Sequence, residues 1–175
     1  MSLRATIREH LVTVWAGEPW YGSSSKTILE GVTATEAAAH PLRGAHSIWE
    51  TTLHMLAWTE EVTSRVRGNK AATPLRGDWP TVTSESTEAW AATTDELRTA
   101  RYALLEAIEH AHEEDLYTLV PRASEASDTP LPVPGTPPVL STRATRAQTA
   151  SGLAEHDVYH LGQIAMLKRA LRNSA

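Results

Sequence analysis

His156-Asp157-Val158-Tyr159-His160-Leu161-Gly162-Gln163-Ile164 is the stretch on which the reading of this chain turns. In a helix, residues i and i+4 lie one above the other on the same face. His156 and His160 then stand one turn apart, on a stripe that Leu153, Ile164 and Leu167 complete at helical spacing. The two imidazoles point where a core should be, and a buried polar ring needs a partner. One partner is a transition metal gripped by both rings. The other readings are two core histidines satisfied by hydrogen bonds, or a partly exposed pair, and the residues alone leave all three open. A third histidine, His54, lies in the helix-like segment Leu53-His54-Met55-Leu56-Ala57-Trp58. A metal held between two helices of a bundle accounts for all three side chains.

Working outward, four long segments carry helical periodicity. The first runs from about Leu3 to Trp15, with Leu3, Ile7, Leu11, Val14 and Trp15 on one stripe. The second runs from about Ser47 to Arg67. It opens on Ser47-Ile48-Trp49-Glu50, a capping box in which the serine caps the first turn and Glu50 reaches back. Ile48, Met55, Val62 and Val66 form its apolar line, His54 and Trp58 flank that line, and Gly68-Asn69 stops the helix. The third is expected over Ser86 to Glu113 with Leu97, Leu104, Leu105, Ile108 and Ala111 inward. The fourth is expected over Thr142 to Leu171.

The connectors are long. Between the first two segments, Thr33-Ala34-Thr35-Glu36 is a second capping box and predicts a short helix over Ala34 to Ala39, ended by Pro41. The stretch from Tyr117 to Ser141 holds six prolines, Pro121, Pro130, Pro132, Pro134, Pro137 and Pro138, which forbid helix and central strand. No repeat or strand-rich block appears. The expected fold is all-α, an up-and-down four-helix bundle with long connectors in one domain spanning residues 1–175.

Composition narrows the function classes. At 175 residues and 41% hydrophobic the chain suits a globular domain with a sizeable core. No apolar run reaches the roughly 18 residues a membrane helix needs. The stretch from Met1 to Trp15 lacks the apolar block of a signal peptide, so a cytoplasmic protein is expected. Net charge is −5 with basic residues scattered, which argues against nucleic acid as a partner. Lys168, Arg169 and Arg172 cluster at the end of the last helix, where they suit its dipole. With no cysteine, thiolate ligands and a cysteine nucleophile are excluded, and any metal site must use nitrogen and oxygen donors.

Taken together the pieces resemble the DinB/YfiT-like superfamily of metal-binding four-helix bundles. The matching residues are Trp20-Tyr21-Gly22, His46-Ser47-Ile48-Trp49-Glu50, Leu53-His54-Met55 with Trp58, Asp78-Trp79-Pro80, Pro132-Val133-Pro134-Gly135-Thr136, and the block from His156 to Ala165. They span most of the chain in the expected order, the last block being the most specific. The resemblance implies one divalent metal held by His54, His156 and His160. Members include thiol-dependent transferases and isomerases that use bacillithiol, mycothiol or related small thiols; others have no assigned reaction. Dimers are common, so a homodimer is implied. The superfamily's name reflects induction by DNA damage and implies no DNA binding.

Three neutral imidazoles leave a divalent ion its full charge and at least one open position, the pattern of catalytic rather than structural sites. A coordinated water or a cosubstrate thiol can be activated there. Imidazole suits zinc, nickel, copper or iron, so the triad does not choose the metal; zinc or nickel is the first expectation, with iron, manganese and copper also admissible. The expected substrate is a small molecule, with a low-molecular-weight thiol as cosubstrate, and the reaction is a thiol S-transfer, an isomerisation or a hydrolysis. The alternatives are a non-catalytic stress-response bundle with a structural metal, and a metal-independent dimerisation module. Gln163, one turn beyond His160, either orients a ligand or touches substrate, or simply bonds to a neighbouring helix. Glu50 is a capping residue first and a supporting residue for His54 second. Trp58 and Trp15 either line a pocket or pack in the core. Gly162 is read as permitting close helix approach. His10 is the reserve ligand, His40, His46, His110 and His112 are read as solvated, and Glu113-Glu114-Asp115 as a solvated charge run.

Overall fold

A computed structural model of the chain describes residues 2–121 and 144–173. Among these residues there are seven helices and no strand; the one β-type pairing is an antiparallel bridge between Leu119 and Thr145. The long helices are α1 (Leu3–Ala16), α4 (Ile48–Val66), α5 (Thr87–His110) and α7 (Arg146–Asn173). The short ones are α2 (Ser25–Leu29), α3 (Ala34–Ala38) and α6 (Glu113–Leu116). The all-α class read from periodicity is therefore the observed one.

Each long helix starts on a side-chain cap. Ser2, Ser47 and Ser86 accept from the backbone N–H three residues on, and Glu50 returns the bond to Ser47. Thr33 and Glu36 close the same box on α3. At α7, Gln148 N donates to Thr145 Oγ1 at 3.1 Å and Thr145 N to Gln148 Oε1 at 2.9 Å. That box sets the start of α7 at Arg146. The expected start at Thr142 and the proline-rich stretch beyond Pro121 lie outside the described residues.

The long helices form a ring. α4 packs against α5 and α7, α1 packs against α7 and α5, and α3 bridges α4 and α5. Ile7, Leu11, Val14 and Trp15 of α1 meet Leu97, Leu104 and Ile108 of α5 and Leu153, Ile164 and Leu167 of α7 in one continuous core. α4 is buried almost all round and carries polar residues inward at little cost. Thr51, Thr52, Thr59 and Thr63 each donate to the carbonyl four residues back at 2.7–2.8 Å. Trp49 and Trp90 pack edge to face, 5.2 Å apart, and their N–H groups reach Thr93 Oγ1 and the Val32 carbonyl.

Two boundaries differ from the periodicity. The third segment is not one helix to Glu113: it ends at His110, Ala111 and His112 are extended, and α6 follows. The acidic run is then the first turn of α6, where negative charge suits the helix N-terminus. Glu113 is also no idle solvated charge, since Leu3 N donates to its Oε1 at 2.8 Å and ties α6 to the start of α1. The helix α2 carries little apolar pattern and was not expected. Gly162 does not serve a close approach within the chain: it is exposed, and a Cβ there would meet nothing within 4 Å.

Candidate metal centre

His54 projects from the middle of α4, and His156 and His160 from successive turns of α7. Because α4 packs on α7, the three rings meet. One nitrogen from each lies within 4.8 Å of one from each of the others, and ring centroids are 4.5–5.0 Å apart. His54 and His160 are buried, and His156 is partly open, its side chain 24% exposed. His10, the reserve ligand, sits half-buried on α1 outside this cluster.

Each ring presents its Nδ1 edge to an oxygen. His54 Nδ1 lies 2.6 Å from the carbonyl of Asp78, which fixes the proton on that nitrogen and leaves Nε2 as a lone pair. His160 Nδ1 lies 2.7 Å from Gln163 Oε1, with the same consequence. His156 Nδ1 is buried and faces Asp157 Oδ1 at 3.6 Å, too long for a hydrogen bond; neither atom has another partner among the described residues. Oxygen acceptors behind metal-bound imidazoles fix the tautomer in this way.

The front edges are frustrated as they stand. His54 Nε2 and His156 Nε2 face each other at 3.0 Å. With the His156 proton on Nδ1, two lone pairs collide. With it on Nε2, a buried lone pair faces the Asp157 carboxylate instead. Added positive charge, a metal ion between the rings or a proton on His156, satisfies every contact. Extra protons on His54 and His160 are disfavoured: burial, then the neighbouring His156, pushes His160 down to about 4, and burial likewise lowers His54. The donor set, neutral nitrogens with no acidic ligand, suits a divalent transition ion.

The surroundings use residues that periodicity did not single out. The segment Asp78-Trp79-Pro80 lies over the site. The Trp79 ring stacks on His54 at 3.9 Å and, on its other face, on His46 at 3.7 Å. His46 is thus partnered rather than merely solvated. Asp78 Oδ1 accepts from Trp58 Nε1 at 2.7 Å, so Trp58 holds the segment that holds His54. Glu50 does not reach His54; its Oε2 takes the Ser47 N–H and faces His46 Nδ1 at 3.3 Å. Trp15 is a core residue whose Nε1 donates to Asp157 Oδ2 at 2.7 Å, beside Arg101 Nη2 at 3.0 Å. Burial alone would raise the Asp157 carboxyl, but His156, Arg101 and Trp15 together hold it below its usual range. Sequence reasoning gave neither Asp157 nor Arg101 a role; Asp157's place beside His156 was the signal that could have found it, while Arg101 had none.

A family model described as the DinB superfamily matches residues 23–164. The chain belongs to the DinB superfamily. The matched span contains His54, His156 and His160, the Asp78-Trp79 cover, and both Asp157 and Gln163, while Trp15 lies before it. Comparison with curated proteins and with solved structures gave no significant match. In this DinB-superfamily chain the histidine cluster is compatible with one metal ion. No helix among the described residues is long and apolar enough to cross a membrane.

Proposed function

We propose that this DinB-superfamily protein is a metal-dependent enzyme acting on a small molecule, with His54, His156 and His160 holding one divalent transition ion, zinc or nickel first. The observation that carries this reading is the convergence of three Nε2 edges whose Nδ1 edges all face oxygen. When bound, the ion would supply Lewis-acid charge that lowers the pKa of a coordinated water or thiol.

The protein's own residues do the rest. Asp78, Gln163 and Asp157 orient the rings. Trp79 covers His54 and limits water there. Asp78 Oδ1 accepts from Trp58, Asp157 Oδ2 accepts from Trp15 and Arg101, and Asp157 Oδ1 faces the back edge of His156, which supports a site left open for an exogenous group. The partly exposed edge of His156 marks the side from which a substrate would arrive. A chain without cysteine has no internal thiol to compete, which suits a low-molecular-weight thiol cosubstrate. The reaction proposed is transfer of that thiol to a small electrophile, an isomerisation through it, or a hydrolysis by activated water. A cytoplasmic homodimer completes the proposal; light scattering and fractionation check it.

The test is titration of the cobalt-substituted protein with small thiols and small anions while the visible spectrum is followed. An open site predicts a change in band position and intensity. A spectrum indifferent to every addition would replace the enzyme reading with that of a bundle carrying a structural metal.

A further inference from the structure

The carboxylate of Asp157 is fully buried and its two oxygens have different surroundings. Oδ2 takes both donors, Trp15 Nε1 at 2.7 Å from α1 and Arg101 Nη2 at 3.0 Å from α5. Arg101 is fixed in turn, since its Nη1 donates to Ser25 Oγ at 2.8 Å and its guanidinium lies over the Trp15 ring at 5.1 Å. Among the described residues Oδ1 receives no hydrogen bond. It faces the edge of His156, whose Nδ1 is also buried without a hydrogen-bond partner among the described residues, 3.6 Å away. A buried acceptor and a buried ring nitrogen left over for each other are costly unless they are paired in use.

We propose that Asp157 is a positioning residue that keeps the His156 proton on Nδ1, so that Nε2 is presented to the metal, with Arg101 and Trp15 locking which carboxylate oxygen does this. The inference rests on the metal reading given above. Residues from α1, α5 and α7 thereby set the tautomer of a single ring at the α4–α7 junction.

The substitution Asp157→Asn makes the logic testable. Arg101 and Trp15 are donors and must keep an oxygen opposite them. The amide nitrogen of the substituted side chain would then face His156 Nδ1 as a donor. Nδ1 would become the acceptor and the proton would move to Nε2, the atom needed for the metal. A wrong tautomer imposed by replacing a carboxylate with an amide is a known route to large functional loss with geometry intact.

The experiment is long-range nitrogen–proton NMR of the imidazoles, on metal-free and zinc-loaded protein at slightly alkaline pH, with zinc affinity measured in parallel. In the wild-type protein His156 Nδ1 is expected to carry a proton in both states. In D157N it is expected to lose it, and zinc affinity is expected to fall about 10–100-fold. In D157N the Nδ1 protons of His54 and His160 are expected to stay where they are, since their acceptors, the Asp78 carbonyl and Gln163 Oε1, are untouched. An unprotonated Nδ1 in the wild type overturns the assignment, even if D157N fails to fold. A D157N protein that loses zinc affinity while His156 keeps the wild-type tautomer also overturns it, because Asp157 would then act on the fold alone. If the wild type takes up no zinc, the metal reading fails by itself, and the Nδ1 signal still reports whether Asp157 sets the tautomer.

Discussion

His54 Nε2 and His156 Nε2 face each other at 3.0 Å across the junction of two helices, from positions 102 residues apart in sequence. Folding therefore concentrates two lone pairs, and a third from His160, at one point, and a cation that binds there binds the folded state alone. Added zinc should raise the thermal midpoint, and a chelator should reverse it. Ligand at about 100 times its Kd stabilises by about 2.7 kcal/mol. A midpoint unmoved by zinc or chelator would contradict this.

The metal-free protein should weaken in mild acid. His160 titrates at about 4 in the folded protein against 6.5 for its ordinary value, with burial the main cause. The unfolded chain therefore takes up a proton before the folded one does. The stability is fully present above about pH 6.5 and is lost progressively as pH falls through about 4. The loss is of order 2–3 kcal/mol for this group, with His54 shifted in the same direction. Urea midpoints measured from pH 7 to pH 4 on H160Q and wild type should converge as pH falls; a constant gap would refute the assignment.

Trp79 stacks on both His46 and His54. Such ring contacts contribute about 0.5–1.5 kcal/mol beyond burial, or about 2–12-fold in affinity. W79A should weaken zinc binding by that factor and W79F by less, as read by calorimetry. Equal affinities for W79A and wild type would show that the cover does not orient the ligand.

The start of the connector that leads to the cover is held on α4. Arg65 and Glu61 form a buried pair at 2.8 Å on α4, and together they grip Ala72, Arg65 through its carbonyl and Glu61 through its N–H. Breaking one partner of such a pair costs about 3–5 kcal/mol, because the other is left buried and unpaired. R65M should therefore destabilise strongly, and E61Q/R65M should recover part of the loss. Denaturant melts in which R65M matches wild type would remove the pair from the account.

How much of this was legible in the sequence follows from the range of the interactions. Capping boxes are local, so Thr33-Glu36 and Ser47-Glu50 placed helix starts to the residue. The His156/His160 pair and its apolar stripe are also local and gave the site's helix. The break after His110 was not legible, because the apolar pattern runs on while Ala111 and His112 turn extended to let α6 fold back on α1. The support around the histidines is tertiary. Trp15, Arg101 and Asp157 come together from three helices, and Asp78 holds His54 through a backbone carbonyl, which any residue type would offer. Gln163 was legible as a neighbour of His160, but only the fold shows that it bonds to the ring's Nδ1 edge.

The most direct measurement is elemental analysis of protein purified without a nickel column, alongside H54A, H156A and H160A. The account predicts close to one equivalent of a divalent transition metal per chain in the wild type and its loss in all three variants. Wild-type protein that stays metal-free after exposure to zinc and nickel, or variants that keep a full equivalent, would contradict it.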